Sequence, residues 1–295
     1  MLKKIWLTFL FTCLVFVPAF CGTDTIQPSG KTELHILTYN IKFLPAILLN
    51  QHHHPIVRAK YIPQALFNDT VDIIIFEEAF DQTARRRLIR GLKKEFPYIA
   101  GPANKKQPSF KVCSGVFMAS RYPMRMLGEV KYKDCIEADC MARKGGLISE
   151  VTLPNGKKIQ IAGTHLQAPG EDSLKIHQLY QLKGLMDHYK TTGVPQLACG
   201  DFNACRTDKP LYDTMIHILH GLDGPITGEQ QSSSDHQHND MEHFDNSQNL
   251  VDYLLYCSVP PPIETERRII KYQHPWGKKH KDLSDHYGVK MKLVF

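Results

Sequence analysis

Asp201 and Asn203, in the stretch Gly200-Asp201-Phe202-Asn203, stand two residues apart just after the apolar run Val194–Cys199. On an extended backbone, positions i and i+2 project to one side, so a carboxylate and a carboxamide would face one pocket. Far along the chain, Ser284-Asp285-His286 sets an acid beside an imidazole, the side chain suited to accept a proton near neutral pH. An acid–amide pair with an acid–imidazole pair suits hydrolysis of a phosphate ester assisted by a divalent cation. A phosphodiester presents negative oxygens that repel hydroxide, and a hard cation on oxygen ligands offsets that repulsion. Glu78 is the first candidate ligand, Glu77 its rival, and Asn40 a neutral neighbour able to touch the ion or its waters. His286 is the candidate general base, with Asp252 holding its imidazole in one tautomer. His165 and Asn203 are suited to donate hydrogen bonds to phosphoryl oxygens as charge builds there. Asp285 is open to a metal site or a water network. Asp201 is open between orienting His165, binding a second cation and assisting the leaving alkoxide. Lys144 is a candidate phosphate contact.

These residues follow apolar runs. Leu34–Tyr39 reads as a strand ending at Asn40, and Val71–Phe76 as a buried strand delivering Glu77 and Glu78. Leu147–Leu153 and Lys158–Thr164 read as a hairpin around Pro154-Asn155-Gly156, its second arm delivering His165. Gln196–Cys199 precedes Asp201, and Leu250–Tyr256 carries Asp252. Val112–Ser120, Arg267–Tyr272 and Val289–Val294 are further strand-like runs. Helical spacing predicts Pro55–Phe67, Thr83–Phe96, Leu211–Leu219 and Ser173–Tyr189, the last with Leu174, His177, Leu182, Leu185 and Met186 on one face. Arg85-Arg86-Arg87 are expected on the solvated face of the second of these. Polar groups at strand ends converge on one rim of a sheet core, which points to a layered α/β fold with packed sheets. Gly228–Asn249, rich in His, Asn and Ser, reads as a loop or insertion. His52-His53-His54 and Asp235-His236-Gln237-His238 with His243 resemble metal tracts, although His-rich loops are more often simply exposed.

The 295 residues, 42% hydrophobic and 22% charged, allow a sizeable core and exclude disorder as the default. Lys3 and Lys4 precede the apolar run Ile5–Val17 and then Pro18-Ala19-Phe20-Cys21-Gly22, the pattern of a secretory signal peptide. The expected organisation is a signal peptide over 1–21, a linker over 22–32 and one catalytic domain over 33–295, secreted or periplasmic after processing. Lipid attachment at Cys21 is the competing reading, against which Phe20 is bulky. Removing residues 1–21 deletes two lysines and no acids, so +6 becomes +4. That excess fits anionic or zwitterionic phosphate surfaces and falls short of a nucleic-acid-binding tail. In an oxidising compartment Cys135 and Cys140 could close a small loop, while no second close Cys or His pair completes a zinc set. Asn68-Asp69-Thr70 matches a glycosylation acceptor, meaningful in a eukaryotic secretory route.

Thr38-Tyr39-Asn40, Glu78-Ala79-Phe80-Asp81, Gly163-Thr164-His165-Leu166-Gln167-Ala168, Gly200-Asp201-Phe202-Asn203, Val251-Asp252-Tyr253 and Ser284-Asp285-His286 stand in the order of the endonuclease/exonuclease/phosphatase superfamily. Over residues 33 to 294 the chain most resembles the secreted neutral sphingomyelinases of the sphingomyelinase C type, through the Glu-Ala-Phe-Asp and Thr-His-Leu-Gln-Ala blocks and Lys144-Gly145 before a strand. The resemblance implies a four-layer α/β sandwich, two central mostly antiparallel sheets flanked by helices. It also implies magnesium as cofactor, with Mn2+ or Co2+ as substitutes, and cleavage of sphingomyelin to ceramide and phosphocholine at a sphingomyelin-containing membrane surface. Glu-x-Phe-Asp places the family's metal ligand on Glu78. Tyr272 and Trp276, in the segment Lys271–His280, are candidate interfacial anchors. This segment is shorter and more basic than the aromatic hairpin of haemolytic bacterial relatives, and the 228–249 loop lacks their Trp-Asp character, which leaves head-group preference open. No obligate protein partner is expected, and the chain reads as a monomer. The alternatives are a secreted deoxyribonuclease-like endonuclease, an inositol-phosphate phosphatase, or a non-catalytic membrane-binding protein on the same fold. A nuclease needs basic side chains tracking several phosphates, and no such segment is evident, so nucleic acid is not the expected substrate.

Overall fold

β1 (Glu33–Asn40) and β2 (Ile73–Glu77) are almost wholly buried, as expected of strands covered on both faces. In the computed structural model, which describes residues 32–45, 53–105, 111–242 and 245–294, they pair in parallel from Ile36 beside Ile73 to Asn40 beside Glu77. The expected signal segment and the linker up to Lys31, together with His52 and His243, lie outside the described residues. A seven-stranded sheet runs β3 (Tyr98–Ala100), β4 (Phe117–Ser120), β2, β1, β14 (Gly288–Val294), β13 (Glu264–Ile270), β9 (Ile226–Thr227). A five-stranded sheet runs β12 (Asp252–Tyr256), β8 (Gln196–Asp201), β7 (Lys158–His165), β6 (Gly145–Thr152), β5 (Met124–Lys131). Both are mostly antiparallel, the exceptions being β1 with β2, β9 with β13 and β7 with β8. Four helices, α1 (Pro55–Phe67), α2 (Gln82–Leu92), α3 (Asp172–Tyr189) and α4 (Lys209–Leu219), complete four α/β layers among the described residues.

Strand alternation builds the layers. Ile36, Ile73, Ile75 and Met118 join Ile148, Ile161, Ala198 and Leu254 in the core that includes the five-stranded sheet. Leu37, Ile74 and Phe76, one residue out of step, instead meet Ala59, Ile62, Leu88 and Leu92 of α1 and α2. At the end of β8, Gly200 has φ +144°, and a Cβ there would lie 1.9 Å from the Thr164 carbonyl oxygen. Glycine is thus required where β7 and β8 close up to set His165 beside Asp201.

Several elements differ from expectation for identifiable reasons. β5 escapes a pattern reading because it is half-exposed, contains Gly128 and shifts register between Met126 and Gly128. Of Val112–Ser120, only Phe117–Ser120 pairs as a strand; Gly115, at φ 78°, packs under the Phe80 ring instead. On α3 the inward face is partly polar: Gln178 is buried and His177 exposed. The Gln178 amide explains this, accepting from the Gln167 N–H at 2.8 Å and donating to the Asp134 carbonyl at 3.2 Å. Arg85 is not solvated; it is buried and donates to the Ala79 and Phe80 carbonyls, while Arg86 and Arg87 are exposed. Among the described residues, no helix is long and apolar enough to cross a membrane.

Candidate active site

Strand register assembles the site. β1 and β2 end with Asn40 beside Glu77, β7 and β8 with His165 beside Asp201, and β8 and β12 with Asp201 opposite Asp252. Asn40 connects the two sheets: its Nδ2 donates to Glu78 Oε1 at 3.1 Å and to Asp201 Oδ2 at 3.0 Å. Glu78 lies past the end of β2 at φ 54°, a left-handed conformation that costs on the order of 1 kcal/mol and persists only when neighbours enforce it. The enforcement is visible. Phe43 and Phe80 donate their N–H groups to the Glu78 carbonyl at 3.0 and 2.7 Å, and Arg85 grips the next two carbonyls. Glu77, by contrast, points into the protein, where its Oε1 accepts from the Thr38 hydroxyl at 2.6 Å and its buried Oε2 has no partner.

His286 Nδ1 lies 2.8 Å from Asp252 Oδ2 and 4.0 Å from Asp201 Oδ2. Burial alone would lower the imidazole pKa, but Asp252, by charge and hydrogen bond, with Asp285 and Asp201, raises it well above 6.5. Burial and the neighbouring Asp252 push Asp201 up to about 7, against His286, Asn40 and the Asn203 N–H. Burial, with Asp285 next in size, raises Glu78; burial and Asp252 raise Glu77 well above 4.5. Burial, Lys144 and His286 hold His165 well below 6.5, so it is neutral.

The expected residues converge, with differences in detail. Lys144, only 3% exposed, places its ammonium 3.1 Å from His165 Nε2 and donates to the Leu166 carbonyl at 2.7 Å. An ammonium has no lone pair, so His165 Nε2 accepts there, and Lys144 rather than His165 carries the donating charge. Asn203, at φ 47°, donates its amide to the same Leu166 carbonyl at 3.2 Å and its N–H to Asp201 Oδ1 at 2.9 Å. Asp285 has both oxygens engaged, by Lys42 Nζ at 3.0 Å and the Ser284 hydroxyl at 3.1 Å. Burial pushes Asp285 up, but Lys42 and His286 pull harder and hold it below 3.8. Lys42 also pairs with Glu242. Tyr272 is not an interfacial anchor: it is buried, its ring 5.3 Å from that of Tyr39 and its hydroxyl bonded to Asp69 at 2.7 Å. Trp276 is half-buried, stacked on His280 at 4.7 Å with its N–H donating to the Asp282 carbonyl at 2.7 Å. The described histidines of the two tracts have structural partners, His236 with Asp245, His238 with Asp235, and His54 edge-on to Trp276.

The supports were missed by pattern reading. Gly228–Asn249 is not merely an exposed loop: β10 (Ser234–Asp235) and β11 (Gln248–Asn249) pair within it, and Ser233, Asp235 and Asn239 are fully buried. The Ser233 hydroxyl accepts from the Asp252 N–H at 3.3 Å, and Asn239 donates to the Ser284 carbonyl at 2.8 Å, so the segment braces both halves of the acid–imidazole pair. Arg58 ties the loop that carries Ser284–His286 to the end of β1 by donating to the carbonyls of Ile41, Lys42 and Leu283.

Among the described residues, Asp201, Asp252 and His286 offer ligand atoms all within 4.8 Å of one another. Asp252 Oδ1 is buried without a partner, and Glu78 and Asp201 are both raised, first by burial and then by the neighbouring carboxylates Asp285 and Asp252. Hard oxygen donors with surplus negative charge fit a small divalent cation. A pH dependence follows for the metal-free protein. Raised carboxylates stabilise the fold at low pH and lose that contribution as pH climbs from 3.8 towards about 7 for Asp201. His286 contributes fully below 6.5 and loses its contribution as pH passes its higher folded value. Asp285 acts oppositely below 3.8, and His165, held low by burial and Lys144, acts oppositely as pH rises to 6.5. Melting temperature measured with a chelator should therefore fall by several degrees between about pH 6.5 and 8.5; a rise over that interval would contradict the charge arrangement.

Residues 37–286 match the Endonuclease/Exonuclease/phosphatase family. The chain is 25% identical to a phospholipase C of Staphylococcus aureus over 98% of its own length and 96% of that protein's. It is 26% identical to a sphingomyelinase C of Bacillus cereus over 91% of its length and 92% of that protein's. Among solved structures, a beta toxin mutant from Staphylococcus aureus with bound magnesium ions superimposes with a TM-score of 0.77 at 21% identity, over 88% of this chain and 99% of that one. At that identity the likeness is one of fold.

Proposed function

Because the chain belongs to the endonuclease/exonuclease/phosphatase family, we propose that it is a magnesium-dependent phosphodiesterase that hydrolyses sphingomyelin to ceramide and phosphocholine at a membrane surface. The carrying observation is the 2.8 Å contact of His286 Nδ1 with Asp252, within a cluster that Asn40 joins to Glu78. Asp252 fixes Nδ1 as the protonated nitrogen, so neutral His286 turns its Nε2 lone pair to the attacking water. Lys144, whose ammonium is shared among His165 Nε2, the Leu166 carbonyl and Asp139 Oδ2, fixes the His165 ring on one wall of the site. Asn203 and Asp201 fix the opposite wall through their mutual hydrogen bond. Glu78 with Asn40 would hold the cation, which when bound supplies charge that balances the carboxylates around His286 and polarises the phosphoryl group. The sphingomyelinase and phospholipase C relatives support the substrate class. The basic, apolar N-terminus supports export, and the mature protein acts as a monomer on the lipid surface.

The test is incubation with sphingomyelin vesicles, phosphatidylcholine vesicles and plasmid DNA, each with magnesium or with a chelator. Phosphocholine should appear from sphingomyelin with magnesium, vanish with chelator and return with excess magnesium. DNA cleavage without lipid turnover would replace the proposal with a nuclease.

A further inference from the structure

β7 and β8 deliver His165 and Asp201 at their ends; their starts, Lys158 and Gln196, lie roughly 20 Å away along the sheet. Around those starts is a cavity of about 1060 Å³, enclosed by the turn at Lys157, the segment Lys190–Pro195 and the segment Tyr256–Ile263. Small-molecule sites span about 300–1,000 Å³, so this one is roomy. Its floor is apolar, since Leu153, Ile159 and Tyr256 are buried there. Its wall is apolar and open: Val259 is 90% exposed and Ile263 66%, the two most exposed large hydrophobics among the described residues. Pro195, Pro260, Pro261 and Pro262 have no N–H to offer, so the wall demands little hydrogen bonding of a guest. Two ties preform it. The Tyr256 hydroxyl donates to the Pro260 carbonyl at 3.0 Å, and the Ile263 N–H donates to the Val294 carbonyl at 2.8 Å.

Charge on the rim has one sign. Lys157, Lys158 and Lys190 line the cavity, and no Asp or Glu does. Lys158 pairs with Glu150 at 2.8 Å, whereas Lys157 and Lys190 are exposed and form no ion pair among the described residues. An apolar hollow beside uncompensated cations complements a hydrocarbon chain with an anionic head. A protein partner of standard size needs about 800 Å² of surface on each side, and a concave hollow suits a smaller guest. Ceramide, the lipid product under the functional reading, is neutral and would leave the lysines unused. We propose that this cavity is a second ligand site that binds a long-chain fatty carboxylate, its chain against Val259 and Ile263 and its head at Lys157 and Lys190. The site is independent of the phosphodiesterase reading and of the residues around His286.

Isothermal titration of the full mature chain with laurate, in chelator and below micelle-forming concentration, tests it. One laurate should bind per chain, with an affinity that falls as ionic strength rises. Dodecyltrimethylammonium, with the same chain and the opposite charge, should not bind. Lys157→Ala/Lys190→Ala should weaken laurate binding about 10-fold, the scale of two partly screened charge contacts. Val259→Asp, at a side chain too exposed to disturb folding, should weaken it as well by setting a charge against the hydrocarbon. His286→Ala should bind laurate as the parent does. Absence of laurate binding would overturn the proposal, as would equal affinity for the cationic amphiphile or undiminished affinity in the double lysine variant. Adsorption to anionic vesicles without laurate binding would make the patch a membrane contact and would overturn it too.

Discussion

His286→Ala is expected to lower kcat for phosphocholine release by about 10²–10⁴-fold, the range that a positioned general base contributes. The imidazole sits 2.8 Å from Asp252, and the variant removes the lone pair that accepts the water proton. Nothing nearby replaces it. His165 is neutral but has Nε2 turned to Lys144, and Asp201 is committed to the Asn40 amide and the Asn203 N–H. Binding of the lipid should change little, so the loss falls on kcat. Rates for the parent and the variant at saturating magnesium, from pH 6 to about 9, are the measurement. A variant retaining more than a tenth of the parent kcat would remove His286 from the role of base.

Arg58→Met is expected to cost about 3–5 kcal/mol of stability, the range for removing one partner of a buried charged network. The guanidinium is fully buried on α1, donating to the carbonyls of His53, Ile41 and Lys42 at 2.6 Å each and of Leu283 at 2.8 Å. Burial lowers its pKa to about 10, so it remains charged throughout the neutral range. Methionine fills the aliphatic volume but donates nothing, stranding carbonyls from three separate segments. Because those segments carry Asn40 and Ser284–His286, activity should fall at temperatures where the variant is still folded. Urea unfolding followed by circular dichroism measures the first effect and residual turnover the second. A loss below about 1 kcal/mol would mean water takes over the guanidinium's hydrogen bonds.

How much of this was legible in the sequence depends on the kind of signal. Buried strands announce themselves as apolar runs, so the strand ends that deliver Asn40, Glu78, His165 and Asp201 could be placed within a few residues. Short or irregular edge strands could not; β5 breaks its alternation with a bulge, and β3 has three residues. Charge was the misleading signal. Arg85 read as solvated and Arg58 drew no reading at all, because whether a cation is buried depends on carbonyls and carboxylates contributed by distant segments. A weak clue existed on the helices. Arg58 stands at i−4 from Ile62 and Arg85 at i−3 from Leu88, each inside the buried stripe of its helix. The polar 228–249 segment hid its buried Ser233 and Asn239 in the same way, since serine and asparagine suit both solvent and buried hydrogen bonds.

Asn40 has one amide nitrogen shared between a carboxylate from each sheet. The reactive gap is therefore a clearance between two independently hydrogen-bonded slabs, and the side chains filling the interior act as its shims. Ile36, Ile75, Met118 and Ile161 never approach a phosphate, yet their thickness sets how far Glu78 stands from Asp201. Ligand tolerance in this molecule is free to drift through the rim loops, while the chemistry stays tied to the calibre of the hydrocarbon filling beneath.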